Sequence, residues 1–428
     1  MMKSLLLIAA GILATADQDN VEVRGLTILQ SAPVQQQIIE TRRIYAADPM
    51  AVLPGGKVTL DNAVKELAWA AVLVGVNTES SQPKIAWVYN APRTWRGRTM
   101  PGSRWGIDNP DNVYRIAPID GVSDYKLYVR RHGEGPLQFS FLVYSHFVTE
   151  DGHQDEVDKP IAGLKDTEVV WNSDGSFTLT IDPKPTNGRP NHIQSPPNAK
   201  QLLIRNTLGD WSRQLPLEMS IERVGGPPAA AAGNDELAQR SAKFLDALTS
   251  LSLNWKSKSL FGQWHDNTFS EPFGRGMKWG YAASANFNLA DDEALVVTVD
   301  PLDAKYVGFM LMDLWLASLD HVGKSGSLNG TQALPSADGT YTYVVAAKDP
   351  GFYNWLDTGG LNQGSMLYRW QVLPPTRSSA KGAVKSAKVV KFAELRNVLP
   401  ADAKFISAAE RKEVLLKRKQ EYERRYSP

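Results

Sequence analysis

The spacing of hydrophobic residues changes along the chain, and each change predicts a different kind of element. Residues 57–76 place apolar side chains three or four positions apart, which predicts an amphipathic helix. From about residue 84 to residue 224, short runs of β-branched and aromatic residues alternate with turns of Gly, Asn, Asp and Pro. That alternation is typical of an all-β domain. A second helix is predicted over residues 235–253, and a second β-rich block over residues 279–374.

These patterns divide the chain into six segments, of which the two longest are rich in strands. The segments are a signal peptide (1–16), an N-terminal helical segment (17–83), a first β-sandwich module (84–224), a linker with a helix (225–278), a second β-sandwich module (279–375), and a basic linker with a C-terminal helix (376–428). The predicted fold is mainly β, with two jelly-roll-like β-sandwich modules and flanking and linking α-helices.

The last segment carries three local signals. Residues 376–390 are rich in Ser, Ala, Gly and Lys, which predicts a flexible or surface segment. Ser407 and Glu410 have the spacing of a capping box, which predicts the start of the C-terminal helix. Leu415, Tyr422 and Tyr426 lie near one face of that helix together with the stem of Arg418, and this face could dock on a sandwich or on a partner subunit. The default interpretation is a solvated helix with an anchoring aromatic stripe.

The two β-rich blocks share a motif, which predicts an internal duplication. In each block an Asp-Gly turn precedes a strand, an Asn follows, and an Arg comes 31 residues after the Asp. The residues are Asp174, Asn191 and Arg205 in the first block, and Asp338, Asn354 and Arg369 in the second. A chance recurrence of strands flanked by turns is the alternative.

The composition is that of a globular protein and excludes several kinds of chemistry. The chain has 428 residues, a formal net charge of +1 and no cysteine. Without cysteine there are no disulfides, no thiolate catalysis and no cysteine zinc sites. The near-zero charge gives no overall field for nucleic acid or an anionic membrane. Nucleotide-binding and serine-hydrolase motifs are also missing from the sequence, so we expect no cofactor. We expect no nucleic-acid partner either, because an exported protein rarely needs one, although the basic tail could bind nucleic acid by charge alone.

The first residues indicate export. Lys3 precedes the apolar run Leu5–Leu13, and Ala14-Thr15-Ala16 has the small-x-small pattern of a signal-peptidase site. Cleavage there would start the mature chain near Asp17, in the periplasm or outside the cell. A buried N-terminal helix is the alternative. The sequence predicts no membrane span, because the run is too short for one and no later stretch reaches 18 consecutive apolar residues.

Short motifs along both β-rich blocks resemble the domain of unknown function 1214 family. In the first block these motifs are Asn109–Arg115, Asp174–Phe177 and Asp210-Trp211. In the second they are Asp292–Ala294, Ser327–Asn329, Gln332-Ala333, Asp349–Gly351, Asn354–Asp357 and Arg369-Trp370. The resemblance covers roughly residues 85–428. It implies jelly-roll β-sandwiches and assigns no activity and no catalytic residue.

The richest set of polar and aromatic residues lies in the second predicted module. Amide and guanidinium groups bind sugar hydroxyls, and tryptophan faces cover the apolar side of a sugar ring. The predicted ligand-binding residues are Asn329, Gln332, Asn354, Trp315, Trp355 and Arg369. These residues predict a binding site for a carbohydrate or a similar polar-aromatic small ligand. Turn formation and backbone capping are the alternative for each polar residue.

Two carboxylates in the same region leave an enzymatic function open. Asp349 and Asp357 are separated by a Pro-Gly turn and could act as general acid and base. The alternative function is therefore a hydrolase or lyase that acts on the same kind of ligand. We place it second to binding without chemistry, because no complete catalytic constellation is visible.

Two further loops contain clustered charged residues and are candidate ion-binding sites. Arg93 and Arg96 belong to an arginine- and tryptophan-rich stretch that could bind a carboxylate, sulfate or phosphate. An ordered surface loop with stacked Arg–Trp pairs is the alternative.

We predict no metal site, although the carboxylates of the loop Asp151–Asp155 could bind calcium. A homo-oligomer is also possible. The function expected from the sequence is that of an exported envelope protein that binds a small molecule or glycan.

Overall fold

The computed structural model describes residues 21–426, apart from residues 96, 149, 151–158, 229–231, 256–264 and 276–278. The described residues form a mainly β fold of two sandwiches, as predicted, with a helical layer on the first sandwich and a C-terminal helix between the two. The predicted signal peptide lies outside the described residues.

The helices lie near the two ends of the described chain and between the two modules. Residues 21–29 are helical and are followed by α1 (Ala32–Ala46), α2 (Pro54–Gly75), α3 (Asn234–Trp255), the short α4 (Leu395–Val398) and α5 (Ala408–Glu423). Helix α2 begins at a proline in its first turn, where no amide hydrogen is needed. Its C-terminal half is buried on every side by α1, α3 and the first sandwich. Helix α5 begins with the predicted capping box of Ser407 and Glu410.

The first module contains two packed sheets. Its five-stranded sheet has the order β1 (Ala86–Val88), β4 (Asn112–Pro118), β10 (Gln201–Thr207), β6 (Gln138–Tyr144) and β7 (Ala162–Lys165). Its four-stranded sheet has the order β11 (Glu218–Gly225), β5 (Asp124–Arg130), β8 (Ser176–Asp182) and β9 (His192–Gln194). A separate hairpin joins β2 (Arg93–Trp95) to β3 (Arg98–Met100). Strand β5 shows why these runs form sheets, because its alternate residues Tyr125, Leu127 and Val129 enter the core.

The second module repeats this arrangement. Its five-stranded sheet has the order β12 (Phe273–Gly274), β13 (Tyr281–Asn288), β19 (Gln363–Gln371), β15 (Tyr306–Met312) and β16 (Ser327–Asn329). Its four-stranded sheet has the order β18 (Trp355–Asp357), β17 (Tyr341–Ala346), β14 (Glu293–Val299) and β20 (Val384–Lys391). Each strand of the two sheets in the first module has a counterpart at the same place in the second. In both four-stranded sheets one edge strand pairs in parallel, β9 with β8 and β18 with β17. The structure therefore shows the predicted duplication.

One boundary differs from the prediction. Residues 376–390, expected to form a flexible or surface segment, contain most of β20, which pairs along its length with β14. The second module therefore extends to Lys391 instead of ending at residue 375. The composition is misleading because β20 is an edge strand whose exposed residues are Lys and Ser.

The outer faces of the two five-stranded sheets are covered differently. Helices α2 and α3 cover the outer face of the first module, and residues such as Tyr144 and Leu203 belong to the helical core. The outer face of the second module packs against Ile107 of the first module and lies close to α5. Among the described helices, none is both long and apolar enough to cross a membrane, in agreement with the sequence.

Candidate functional site

A group of buried polar and aromatic side chains lies where the two modules meet α5. We call this group the module junction. Its members come from both modules and from the C-terminal helix: Asn109, Asp111, Trp211, Tyr306, Asn329, Arg418, Tyr422 and Arg425. All of them are less than a tenth exposed. A polar cluster buried to this degree requires partners for its donors and acceptors, so its hydrogen bonds define the site.

Asp111 is the centre of the junction. Its Oδ1 accepts hydrogen bonds from Trp211 Nε1 at 2.9 Å and from Asn329 Nδ2 at 2.7 Å, and its Oδ2 accepts one from the Tyr306 hydroxyl at 2.7 Å. Burial raises the pKa of Asp111, while these donors and the positive charges of Arg418 and Arg425 oppose the rise. A carboxylate of the first module is thus held by two residues of the second.

The close approach of Tyr306 to Asp111 depends on Gly308. Tyr306 and Gly308 are alternate residues of β15 and face the same side of the sheet, toward the first module. A Cβ atom at position 308 would overlap the Tyr306 hydroxyl and lie 3.2 Å from Asp111 Oδ2. Glycine therefore leaves the space in which the two side chains meet.

Arg418 and Arg425 bring two guanidinium groups from the C-terminal helical segment. They are seven residues apart and so lie on one helical face. Arg418 donates from Nε to the His321 carbonyl at 2.6 Å and from Nη2 to Ser327 Oγ at 3.0 Å. Its Cζ lies 4.5 Å from the centre of the Trp211 ring. Burial lowers the pKa of Arg418 to about 10, which leaves it charged at neutral pH.

Arg425 is held mainly by rings. Its Cζ lies 3.7 Å from the Tyr422 ring centre and 4.8 Å from that of Trp211, and its Nη1 donates to the Pro110 carbonyl at 2.9 Å. The residue is only 3% exposed. Among the described residues, Nε and Nη2 of Arg425 find no hydrogen-bond partner.

A second buried cluster lies beside the junction. Arg104 forms an ion pair with Glu66 of α2, and its Nη1 donates to the Ser318 carbonyl at 2.9 Å. Two further carboxylates, Asp108 and Asp313, are fully enclosed nearby. Burial raises the pKa of Asp108 to about 6 and that of Asp313 to about 7, partly offset by hydrogen bonds. This cluster joins the helical layer to both modules.

Asp108, Ser318 and His321 have the composition of a hydrolase triad but not its connectivity. Ser318 Oγ donates to Asp108 Oδ2 at 2.5 Å, so the serine is bound to the carboxylate. His321 Nδ1 lies 3.0 Å from the Leu319 carbonyl oxygen, which fixes the proton on that nitrogen. In a triad the histidine must stand between the serine and the carboxylate. The arrangement therefore provides no activated nucleophile.

Three of the predicted ligand-binding residues lie at or beside the junction. Asn329 binds Asp111, and Gln332 accepts the Asn329 amide hydrogen at 3.1 Å. Arg369 lies on the outer face of β19 and donates to the Ile107 carbonyl at 3.1 Å. Asn329 and Arg369 thus contact the first module, and Gln332 supports the backbone of Asn329.

The other predicted residues of the second module are placed elsewhere. Trp315 packs in the helical core, with its ring centre 4.8 Å from that of Tyr45. Trp355 is buried, donates to the Ala346 carbonyl at 3.0 Å and has Arg411 over its ring. Neither indole offers an open face to a sugar. Because Asn354 binds backbone groups instead, the turn-and-capping alternative describes it better, and the predicted cluster is not assembled.

The predicted acid–base pair is held by two different cations. Asp349 forms an ion pair with Arg411 of α5 at 3.0 Å. Asp357 Oδ2 lies 3.7 Å from Lys324 Nζ, and its Oδ1 accepts the Gly359 amide hydrogen at 2.7 Å. Burial raises the pKa of Asp357. No described hydrogen bond or ion pair connects the two carboxylates.

The remaining candidates fall into two groups. Arg93 forms a buried ion pair with Glu22 at 2.7 Å, so its carboxylate partner belongs to the chain itself. Arg96 and the loop Asp151–Asp155 lie outside the described residues. In the part of the chain that is described, no group of three or more His, Asp or Glu side chains could hold a metal ion.

Sequence reasoning missed the centre of the junction. Asp111 belongs to the Asn109–Arg115 motif, which predicts only a turn followed by a strand. The docking face of the last helix was the one available signal, since Arg418, Tyr422 and Tyr426 share it and the helix does dock between the modules.

Comparisons with known proteins find a similar fold but no protein of known function. No family model and no curated protein matches the chain. A crystal structure of an uncharacterised protein from Burkholderia cenocepacia is similar, with 24% sequence identity and a TM-score of 0.68, over 86% of this chain and 99% of that chain. A protein from Vibrio parahaemolyticus gives 9% identity and a TM-score of 0.40, over 67% of this chain and 90% of that chain. The first likeness shows a shared fold, and membership of the domain of unknown function 1214 family stays a prediction.

Proposed function

We propose that this chain is an exported protein that binds a small hydroxylated ligand at the module junction, without chemistry. The proposal keeps the ligand class expected from the sequence and moves the site from the second module to its boundary with the first. Export rests on the signal-peptide pattern of residues 1–16.

One observation carries the proposed site, which is the set of groups around Asp111. A hydroxyl, an amide, an indole N–H and two guanidinium groups surround this carboxylate, and the faces of Trp211 and Tyr422 lie beside them. Sites of this kind, with a few polar groups among aromatic walls, suit small polar ligands. A ligand hydroxyl would take the place of the Tyr306 hydroxyl or the Asn329 amide as a hydrogen-bond donor to Asp111.

The acid–base alternative finds less support in the geometry. General acid catalysis requires one protonated and one ionised carboxylate facing the same bond. Asp349 and Asp357 instead lie beside separate cations, Arg411 and Lys324. A hydrolase or lyase therefore stays the second hypothesis.

A ligand screen on the purified chain tests the proposal. Neutral sugars, sugar acids and polyols would be added in a thermal-shift assay, and each hit would be followed by calorimetry and product analysis. A ligand at a hundred times its Kd adds about 2.7 kcal/mol of stability. We expect a hit that is recovered unchanged.

Matched variants then locate the bound ligand. Asn329→Ala should weaken binding by about tenfold or more, the equivalent of about 1.4 kcal/mol. The control Asn288→Ala, at the exposed end of β13, should bind as the natural chain does. The proposal fails if no ligand shifts the melting temperature. It also fails if Asn329→Ala binds normally while Asp357→Asn does not.

A further inference from the structure

We infer that the ligand of the module junction carries a carboxylate, and that the free edge of Arg425 binds it. This inference rests on the proposed function and names the class of ligand. The starting observation is a buried guanidinium that uses only Nη1, on the Pro110 carbonyl, while Nε and Nη2 have no hydrogen-bond partner in the described chain.

Nε and Nη2 form one edge of the guanidinium group. Their two N–H bonds are parallel and match the two oxygens of a carboxylate. The same chain shows this pairing elsewhere. Arg411 uses Nε and Nη2 on Asp349, at 3.0 Å and 3.4 Å, and Arg104 uses the same edge on Glu66. Arg425 is therefore a buried arginine of the same kind whose paired edge lacks a carboxylate.

The direction of approach is also restricted. The Tyr422 and Trp211 rings lie within 5 Å of Arg425 Cζ, at 3.7 Å and 4.8 Å. A planar group that approached along this edge would make its two hydrogen bonds in the plane of the guanidinium.

The local charges favour a negatively charged ligand. Arg418 and Arg425 both face Asp111, which already accepts three hydrogen bonds and is the buried carboxylate that acts on both. Asp320 also attracts Arg418, but it is exposed to solvent and binds the amides of Val322 and Gly323. A negative charge at Arg425 would offset part of the buried positive charge, to which Arg369 also contributes, in a place where an unpaired charge is costly.

Other unsatisfied groups at this end of α5 are donors too. Arg93, whose Cζ lies 4.9 Å from the Tyr426 ring, has Nε and Nη1 without a partner among the described residues. Asn90 accepts from the Tyr426 hydroxyl, and its buried Nδ2 has no described partner. Donors in excess require an acceptor-rich ligand, and a sugar acid has both a carboxylate and hydroxyl oxygens.

Calorimetry with matched sugars tests this inference on the full chain. Glucuronate and glucose differ in a carboxylate and have the same ring hydroxyls. We expect glucuronate to bind at least about 30-fold more tightly, which corresponds to the roughly 2 kcal/mol of a buried charge pair. Arg425→Gln should remove this difference, and Arg425→Lys should keep the charge but lose most of the gain, because lysine has no paired edge.

A control variant separates the site from the general charge of the helix. Lys419→Gln removes one positive charge from the exposed side of α5 and should leave glucuronate binding unchanged. Melting temperatures of all variants show whether α5 still docks. Equal binding of glucose and glucuronate would contradict the inferred carboxylate and leave the proposed function standing. No binding of glucuronate, when a neutral ligand of the screen does bind, would also contradict the carboxylate, whereas no binding of any ligand in the screen would contradict both proposals. If inorganic phosphate but not acetate competed with glucuronate, the inference that the site binds a carboxylate would also be wrong.

Discussion

Asn191 and Asn354 stand at equivalent places in the two modules and make the same pair of backbone hydrogen bonds. Asn191 accepts from the Val170 amide at 2.8 Å and donates to the Val170 carbonyl at 2.7 Å. Asn354 makes both bonds to Leu334, at the same two distances, and adds one to the Thr342 carbonyl at 2.9 Å. The repeated asparagine thus connects a loop to the start of the short parallel strand in each module.

We predict that Asn354→Ala destabilises the protein without weakening ligand binding. The variant leaves the backbone groups of Leu334 without their partner, in a place where Asn354 is 3% exposed. Each unsatisfied buried group costs about 1–3 kcal/mol, and urea unfolding measures the sum. The control Asn288→Ala, whose exposed side chain binds Asp266 at the end of β13, should cost less. If Asn354→Ala kept normal stability but lost ligand binding, Asn354 would belong to the ligand site and the prediction would be wrong.

Local signals in the sequence were enough to predict the fold. The Asp174 and Asp338 turns each bind the residue two positions later by backbone and hydroxyl, so the duplicated motif has a direct structural meaning. The capping box of Ser407 and Glu410 also forms as expected. Turns and caps depend on residues within a few positions of each other, which is why one sequence reveals them.

The module junction could not be predicted in the same way. Arg425 binds the carbonyl of Pro110, which is 315 positions away, and Asn329 reaches Asp111 across 218 positions. No periodicity records such contacts, since they depend on how two sandwiches and a helix pack. Trp315 was predicted to bind the ligand and instead packs in the helical core. An indole suits a buried core as well as the face of a sugar, so tryptophan content alone does not distinguish the two.

The ion pair between Asp349 and Arg411 fixes the first turn of α5. We predict that Asp349→Asn loosens this helix, because Arg411 is 7% exposed in its side chain and loses its charged partner. A loss of about 1–2 kcal/mol raises the undocked population roughly 5- to 30-fold. Trypsin digestion should then cut sooner at Lys412, Lys417 and Lys419, which are exposed on α5.

The control for this experiment is Asp338→Asn, a change of the same charge in an exposed turn of the same module. Cleavage of that variant should match the natural chain. Equal cleavage of Asp349→Asn and the control would show that α5 is held by its other contacts alone.

The buried carboxylates beside the junction predict a dependence of stability on pH. Burial raises the pKa of Asp313 to about 7 and that of Asp108 to about 6, so the folded chain binds protons more tightly than the unfolded chain. This contribution is fully present below about pH 4 and is lost as the pH rises through 6 and 7. Asp313→Asn should lose less stability than the natural chain between pH 4.5 and pH 7.5.

Comparison of the two proteins isolates Asp313, because all other groups titrate in both. Asparagine can still accept the Trp315 and Ala317 amide hydrogens that Asp313 accepts at 2.9 Å and 3.0 Å. The measurement is the melting temperature at each pH. Parallel curves for the two proteins would mean that Asp313 keeps an ordinary pKa.

The ion pair of Glu66 and Arg104 should be among the costliest to break. Both side chains are buried, at 2% and 10% exposure, and the Glu66 carboxylate also accepts the Arg104 amide hydrogen. Glu66→Gln leaves a buried arginine without its charge partner, which costs about 3–5 kcal/mol in urea unfolding. The control Glu79→Gln breaks the more exposed pair with Arg240 and should cost less than about 1 kcal/mol. Similar costs for the two variants would contradict the burial argument.

Gly308 offers the most direct test of how the junction is built. We predict that Gly308→Ala destabilises the protein by about 1–3 kcal/mol, because the new methyl group overlaps the Tyr306 hydroxyl and forces the ring away from Asp111. The control Gly274→Ala adds the same methyl group where no atom lies within 4 Å, and should change stability little.

A double-mutant cycle shows whether the overlap is the cause. Tyr306→Phe removes the bond to Asp111 and the nearest atom that a Cβ at position 308 would meet, while the ring Cζ, at 2.8 Å from that Cβ, remains. In that background Gly308→Ala should cost distinctly less than in the natural chain, with a coupling of about 0.5–3 kcal/mol in urea unfolding. Additive costs would show that Gly308 and Tyr306 act independently, and the space at position 308 would then have another purpose.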